Sequence, residues 1–138
     1  MYRPFVFNYK KFYDDTVELL MKQGCKAVGK KINDLGVSFD CCLYRAGNLK
    51  CAIGMHIPDN MYVVEMEKGG AIYLCNNYPE FVQHLVGKYG DGGTLTDLEK
   101  LADFLAAVQS LHDHKFFSFI ERPQYFWREL KIKFGLRG

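Results

Sequence analysis

Apolar residues recur at helical spacing along most of the chain, and the clearest pattern predicts a helix over residues 97–113. Thr96 and Glu99 have the spacing of a capping box, in which each side chain bonds the backbone N–H of the other residue. The stripe that would face a core consists of Leu98, Leu101, Leu105, Val108 and Leu111. This is the strongest helix signal in the sequence, and we expect the helix to end near His114.

Three further helices are predicted from apolar stripes bounded by capping residues, prolines and glycines. Asn8 can cap a helix at its start, and Gly24 stands where a helix-ending glycine is common. Proline is favoured in the first turn of a helix, which suits Pro79 and Pro123. The helices are predicted over residues 9–23, from residue 79 to a stop at Gly90, and from residue 123 to a stop at Gly135.

The β signal is confined to a short central part of the chain. Residues 37–45 are β-prone, and an Ala-Gly-Asn turn leads back into a second arm over residues 49–53, which predicts a small antiparallel hairpin. The basic, glycine-punctuated residues 25–35 are predicted to be irregular, and no element is assigned to residues 60–78. The expected fold is therefore α+β and mainly helical, a single compact domain of residues 1–138 with one hairpin.

The composition supports a packed domain and excludes several classes of protein. Apolar residues make up 49% of the 138 positions and charged residues 25%, which excludes the weakly hydrophobic disordered class. No stretch approaches the roughly 18 uninterrupted apolar residues of a membrane span. Residues 1–5 lack the pattern of a secretion leader, so we expect a cytoplasmic protein. A net charge of +2 is too small to indicate nucleic acid as the main partner.

The five cysteines are an odd number, two of them are adjacent, and none forms a Cys-x-x-Cys pair. This usage is typical of free, mostly buried thiols in a reducing compartment. A zinc site could draw its ligands from Cys41, Cys42, Cys51, His56 and Cys75. The spacing of these residues matches no standard zinc motif. No metal and no cofactor are therefore expected.

Cys51 is the one candidate for a catalytic nucleophile, with His56, or His112 backed by Asp113, as its base. A thiol needs a lowered pKa for that role, and no motif of a known cysteine hydrolase accompanies it. We therefore favour the interpretation that Cys51 is a buried, inert residue. His112 and Asp113 are interpreted as residues at a helix C-terminus. There the imidazole interacts favourably with the helix dipole and the carboxylate is solvated.

The residues around Cys51 resemble a family of small proteins common in bacteriophage and prophage genomes. The matching residues are Gln23-Gly24, Tyr44-Arg45, Leu49-Lys50-Cys51-Ala52-Ile53-Gly54, Ile57-Pro58-Asp59, Tyr62, Val108-Gln109-Ser110-Leu111-His112-Asp113, Trp127, Leu130 and Gly135-Leu136. The resemblance implies a phage-encoded protein that acts in the cytoplasm of the infected bacterium. It implies no catalytic residue.

Aromatic and arginine side chains concentrate in residues 115–128, a composition typical of protein interfaces. The residues predicted to bind a partner are Arg45, Phe116, Phe117, Phe119, Arg122, Trp127 and Arg128. The alternative is that these aromatic rings pack within the core. We predict a non-enzymatic accessory protein that binds a host or phage protein. Weak nucleic-acid binding through the basic residues, and a homodimer, are the other partner hypotheses.

Overall fold

The computed structural model describes residues 6–32, 34–91 and 97–136. These residues form five α-helices and four short strands, and two 3₁₀ turns, Gly54–His56 and Val64–Lys68, precede the second helix. The elements are Tyr9–Gln23 (α1), Val28–Ile32 (β1), Ser38–Cys42 (β2), Arg45–Ala46 (β3), Leu49–Lys50 (β4), Ala71–Asn77 (α2), Pro79–Tyr89 (α3), Leu98–Glu121 (α4) and Pro123–Phe134 (α5). The expected α+β, mainly helical fold is confirmed.

The first helix has the predicted limits because its caps are the predicted residues. The side chain of Asn8 accepts a hydrogen bond from the backbone N–H of Lys11 at 3.0 Å. Gly24 has a φ of 81°, and its N–H reaches the carbonyl of Leu20. Between these caps α1 buries one continuous face, composed of Phe12, Tyr13, Thr16, Val17 and Leu20.

The fourth helix is longer than its sequence pattern predicts. Asp97 caps it by accepting from the N–H of Lys100 at 2.8 Å, whereas Thr96 of the expected capping box lies outside the described residues. Lys115 is kinked (φ −138°, ψ 37°), close to the predicted end, and helix then resumes as far as Glu121. Although α4 has 24 residues, no helix in the described ranges combines the length and apolarity needed to cross a bilayer.

One hydrophobic core joins all five helices, and aromatic rings occupy much of it. Phe12 and Phe104 meet edge to face at 6.2 Å, and the ring of Tyr13 lies 5.1 Å from Trp127. The hydroxyl of Tyr13 donates to the carbonyl of Pro123 at 2.6 Å, which ties α1 to the start of α5. A fully buried side chain of this size contributes about 1.5–3 kcal/mol, so this shared core holds the helices together.

The β structure differs from the prediction in which segments pair. Antiparallel β1 and β2 run from Val28 opposite Cys42 to Ile32 opposite Ser38, so the prediction that residues 25–35 are irregular is wrong. The turn between the strands uses Gly36 at a φ of 78°. The chain does reverse at the Ala-Gly-Asn sequence, but the strands on either side, β3 and β4, have only two residues each. The partner of β2 thus precedes it in the chain.

Candidate functional site

Cys51 follows β4 directly and begins the tight turn that enters the 3₁₀ segment. Its side chain is fully buried, and its Sγ accepts a hydrogen bond from the N–H of Gly54 at 3.2 Å. Burial raises the pKa of the Cys51 thiol to about 12. The N–H groups of Gly54 and Ile53 lower this pKa, but their effect is smaller than that of burial. The sulfur is therefore a protonated thiol at neutral pH and has no contact with solvent.

Gln109 of α4 connects Cys51 with the His112–Asp113 pair. Its side-chain oxygen accepts from the N–H of Ile53 at 3.1 Å, and its Nε2 donates to Asp113 Oδ1 at 2.8 Å. The Gln109 side chain also lowers the pKa of the Cys51 thiol, against the larger effect of burial. Sequence reasoning missed Gln109. The structure thus brings the three candidate catalytic residues into one network, but with an amide between the thiol and the carboxylate.

His112 does not lie at a solvated helix end, so that interpretation is wrong. Its side chain is completely buried, and its Nδ1 lies 2.8 Å from Asp113 Oδ1. Its Nε2 is buried without a hydrogen-bond partner among the described residues, so neither ring nitrogen reaches Cys51. The burial has a physical reason, because His112 continues the spacing of Leu105 and Val108 toward the core.

His56, the other candidate base, is engaged with α1 instead of Cys51. The hydroxyl of Thr16 donates to the carbonyl of Phe12 at 2.7 Å, so its oxygen accepts from His56 Nε2, also at 2.7 Å. The imidazole stacks on the Phe12 ring at 4.2 Å. Burial and the nearby Lys88 lower the pKa of His56 to about 3, despite the opposing Asp15. His56 is therefore a neutral core residue that positions the 3₁₀ turn against α1.

We expect Cys51 to resist thiol reagents in the native protein while the exposed Cys25 reacts at once. With a pKa of about 12, Cys51 has about a thousandfold less thiolate at neutral pH than an ordinary cysteine. Mass-spectrometric mapping of alkylated cysteines, before and after addition of denaturant, measures both rates in one sample. Native labelling of Cys51 at the rate of Cys25 would restore the nucleophile hypothesis.

In the part of the chain that the structure describes, no side chains are arranged to bind a metal ion. No group of three or more potential ligands occurs there, and the side chains of Cys41 and Cys42 lie outside it. Cys75 is buried on α2, where burial raises the pKa of its thiol to about 11. A zinc ligand must be deprotonated, so this environment does not favour metal at Cys75.

The residues predicted to bind a partner divide between core and surface. Phe116, Phe119 and Trp127 are buried, at 3%, 0% and 4% exposure, so the alternative that the rings pack in the core holds for these three. Phe117 is 69% exposed. Arg122 and Arg128 are also exposed, and Arg122 lies over the ring of Tyr125. Of the four aromatic residues predicted to bind a partner, only Phe117 therefore lies on the surface.

Arg45 lies in a network that holds two loops of the protein together. Its guanidinium donates to the carbonyl of Ile57 at 2.8 Å and pairs with Asp59 at 2.7 Å. It also lies 4.6 Å from the centre of the Tyr62 ring, whose hydroxyl donates to Glu67 at 2.7 Å. Only 18% of the Arg45 side chain is exposed. These contacts give Arg45 a structural role, and its binding role stays a prediction.

The β1–β2 hairpin carries an apolar surface that the sequence analysis did not identify. Four of its side chains are exposed: Val28 (45%), Ile32 (73%), Leu35 (87%) and Val37 (55%). Among the described residues the two strands pair only with each other, so each strand has one edge without a ladder partner. Grouped apolar side chains beside open strand edges are features of an interaction surface.

The residues that carry the phage-family resemblance are hydrogen-bonded to one another in the structure. The Gln23 amide pairs with the backbone of Lys50 in both directions, at 2.8 and 2.9 Å, and Ile53 is held by Gln109. Comparison of the chain with protein-family models, curated proteins and solved structures finds no match. The family membership therefore stays a prediction, and these contacts give its motif a structural role.

Proposed function

We propose that this protein acts by binding another protein through its β1–β2 hairpin, without catalysis, in a bacterium infected by the phage that encodes it. The exposed apolar side chains of the hairpin carry this proposal. Isolated exposed apolar residues are common on any protein, but here four of them lie within the ten residues 28–37 of one hairpin. The cysteine-enzyme alternative has little support, because Cys51 is buried, protonated and hydrogen-bonded to no imidazole.

The open edge of β1 favours a partner of particular chemistry. Strand addition supplies backbone hydrogen bonds, and the facing side chains then decide which segment fits. Lys30 and Lys31 occupy the middle of β1, between Val28 and Ile32. Two copies of β1 paired antiparallel about their centre would place Lys30 opposite Lys30, and a like-charged pair directly opposed is destabilising. We therefore propose an extended partner segment with acidic residues at its centre and apolar residues on both sides.

Replacing Ile32 and Leu35 with serine should weaken partner binding without disturbing the fold. Both side chains are largely exposed, so the native core loses nothing, whereas the interface loses two apolar anchors. Each buried anchor contributes about 1.5–3 kcal/mol, so we expect at least about a tenfold loss of affinity. Affinity capture from infected cells identifies the partner, and calorimetry with the purified partner measures the loss.

Ile132→Ser is the matched control, because Ile132 is 85% exposed on α5, away from the hairpin strands. It should bind the partner as the unmodified protein does. Equal binding by the hairpin variant would exclude the hairpin as the interface. A loss confined to Phe117→Ser would instead assign the interface to the residues around the α4 kink.

A further inference from the structure

A cleft of about 730 Å³ opens where α1 and α4 begin and α3 ends. Four lysines line it, together with the rings of Tyr9 and Tyr89: Lys10, Lys11, Lys88 and Lys100. Volumes of about 300–1,000 Å³ are usual for small-molecule sites. The lysines belong to three different helices, so only the folded chain brings them together. No continuous run of basic residues in the sequence predicts this cleft.

The carboxylates in the cleft are already bound to backbone N–H groups. Asp97 accepts from the N–H of Lys100 at 2.8 Å, and Asp91 accepts from the N–H of Val6 at 3.1 Å. Lys88 and Lys100 form no ion pair with a described residue, and each lies over a tyrosine ring, at 5.4 and 5.7 Å. The lining therefore carries four lysines against two carboxylates, which leaves an excess of positive charge.

Three of the four lysines lie near a helix N-terminus, whereas Lys88 lies in the last turn of α3. Lys10 and Lys11 lie in the first turn of α1, which has no acidic residue, and Lys100 lies in the first turn of α4. A cation at a helix N-terminus opposes the helix dipole, at a cost of about 0.3–1 kcal/mol each. Of their i,i+4 partners, Asp14 is 56% exposed and Asp15 33%, so these ion pairs are weakened by solvent. A bound anion would be attracted both by the lysines and by the N-termini of α1 and α4, which would offset this cost.

We infer that this cleft binds a small organic anion with several phosphate groups, of the class of nucleoside triphosphates. Four lysines suit several negative charges better than one, and the volume accommodates an organic group beside the phosphates. The half-buried ring of Tyr9 offers that group an apolar wall. A small molecule is favoured over a nucleic-acid strand because the charge lies within one cleft. This site is independent of the hairpin proposed above.

Isothermal calorimetry at low salt, without magnesium, tests this inference with two probes, inorganic tripolyphosphate and ATP. Both should bind the unmodified protein. The Lys88→Gln/Lys100→Gln variant should lose about tenfold in affinity for each lysine removed, because each provides a charge-assisted hydrogen bond. Lys22→Gln is the control, since Lys22 is an exposed lysine of α1 outside the cleft. Tighter binding of ATP would show that the organic group contributes, and equal binding would show recognition of the phosphates alone.

Amide resonances of Asn8 to Lys11 should shift during the same titration, which locates the site without any substitution. Three results would overturn the inference. These are no binding of either probe, an equal loss in Lys22→Gln, or tighter binding of a single-stranded oligonucleotide than of both small anions. Unchanged thermal unfolding of the double variant shows that its loss of affinity is not a loss of fold.

Discussion

Replacing Gly54 with alanine is expected to lower the free energy of unfolding by about 3 kcal/mol or more. A Cβ at this position would lie 2.0 Å from the carbonyl oxygen of Tyr44 and 2.8 Å from its carbonyl carbon. Backbone atoms cannot rotate away as the end of a side chain can. The Tyr44 carbonyl also accepts from the N–H of Cys51, and Glu67 holds the N–H of Tyr44, so any shift breaks further hydrogen bonds.

Gly87→Ala provides the matched comparison, because nothing lies within 4 Å of the added Cβ in α3. Alanine is the better helix former by about 0.8–1 kcal/mol, so this variant should be at least as stable as the unmodified protein. Urea unfolding followed by circular dichroism gives both free energies. If Gly54→Ala and Gly87→Ala unfolded at the same urea concentration, the close approach of the Tyr44 carbonyl to Gly54 would be disproved.

Acidification should destabilise the protein by about 2 kcal/mol between about pH 7 and pH 5 through His56 alone. Burial and Lys88 lower the pKa of His56 to about 3, against about 6.5 in an unfolded chain. Between these two values the unfolded state binds a proton that the folded state excludes. Stability therefore rises with pH across this window and is lost as the pH falls through it.

His56→Gln should remove most of this slope, because glutamine has no titrating group and its amide can still donate to Thr16. His114→Gln, which replaces an exposed histidine of α4 and keeps His56, is the control and should retain the slope. Thermal unfolding measured at several pH values gives each slope directly. A slope that persists in His56→Gln would show that His56 is not the group responsible for the loss of stability.

Helix limits set by local chemistry could be predicted from the sequence, while contacts between distant segments could not. Asn8, Gly24 and Gly135 act on neighbouring backbone, and the helices they delimit begin or end as predicted. The strand β1 was missed because Gly29, Lys30 and Lys31 have weak strand preference and form a ladder only when β2 pairs with them. Helix α2 lacks a side-chain cap and depends on packing against α4.

The burial of His112, Phe116 and Phe119 did have a signal in the sequence. Their positions continue the steps of three or four residues that run from Leu105 and Val108, so the apolar stripe of α4 continues past the kink at Lys115. The polar and aromatic character of residues 112–119 obscured that periodicity. Gln109 had no comparable signal, because its partners at Ile53 and Asp113 are brought together only by the fold.

The hydrogen bond from Tyr13 to the Pro123 carbonyl joins residues 110 positions apart, which affects how the nascent chain behaves on the ribosome. At about 5–20 residues per second, roughly 5 to 20 seconds pass between synthesis of these two residues. For most of that interval the rings of Phe12 and Tyr13 have none of Phe104, Phe119 and Trp127 to cover them. The first helix consequently keeps its apolar face uncovered while the later helices are synthesised, and the domain completes its core only after α5 has emerged.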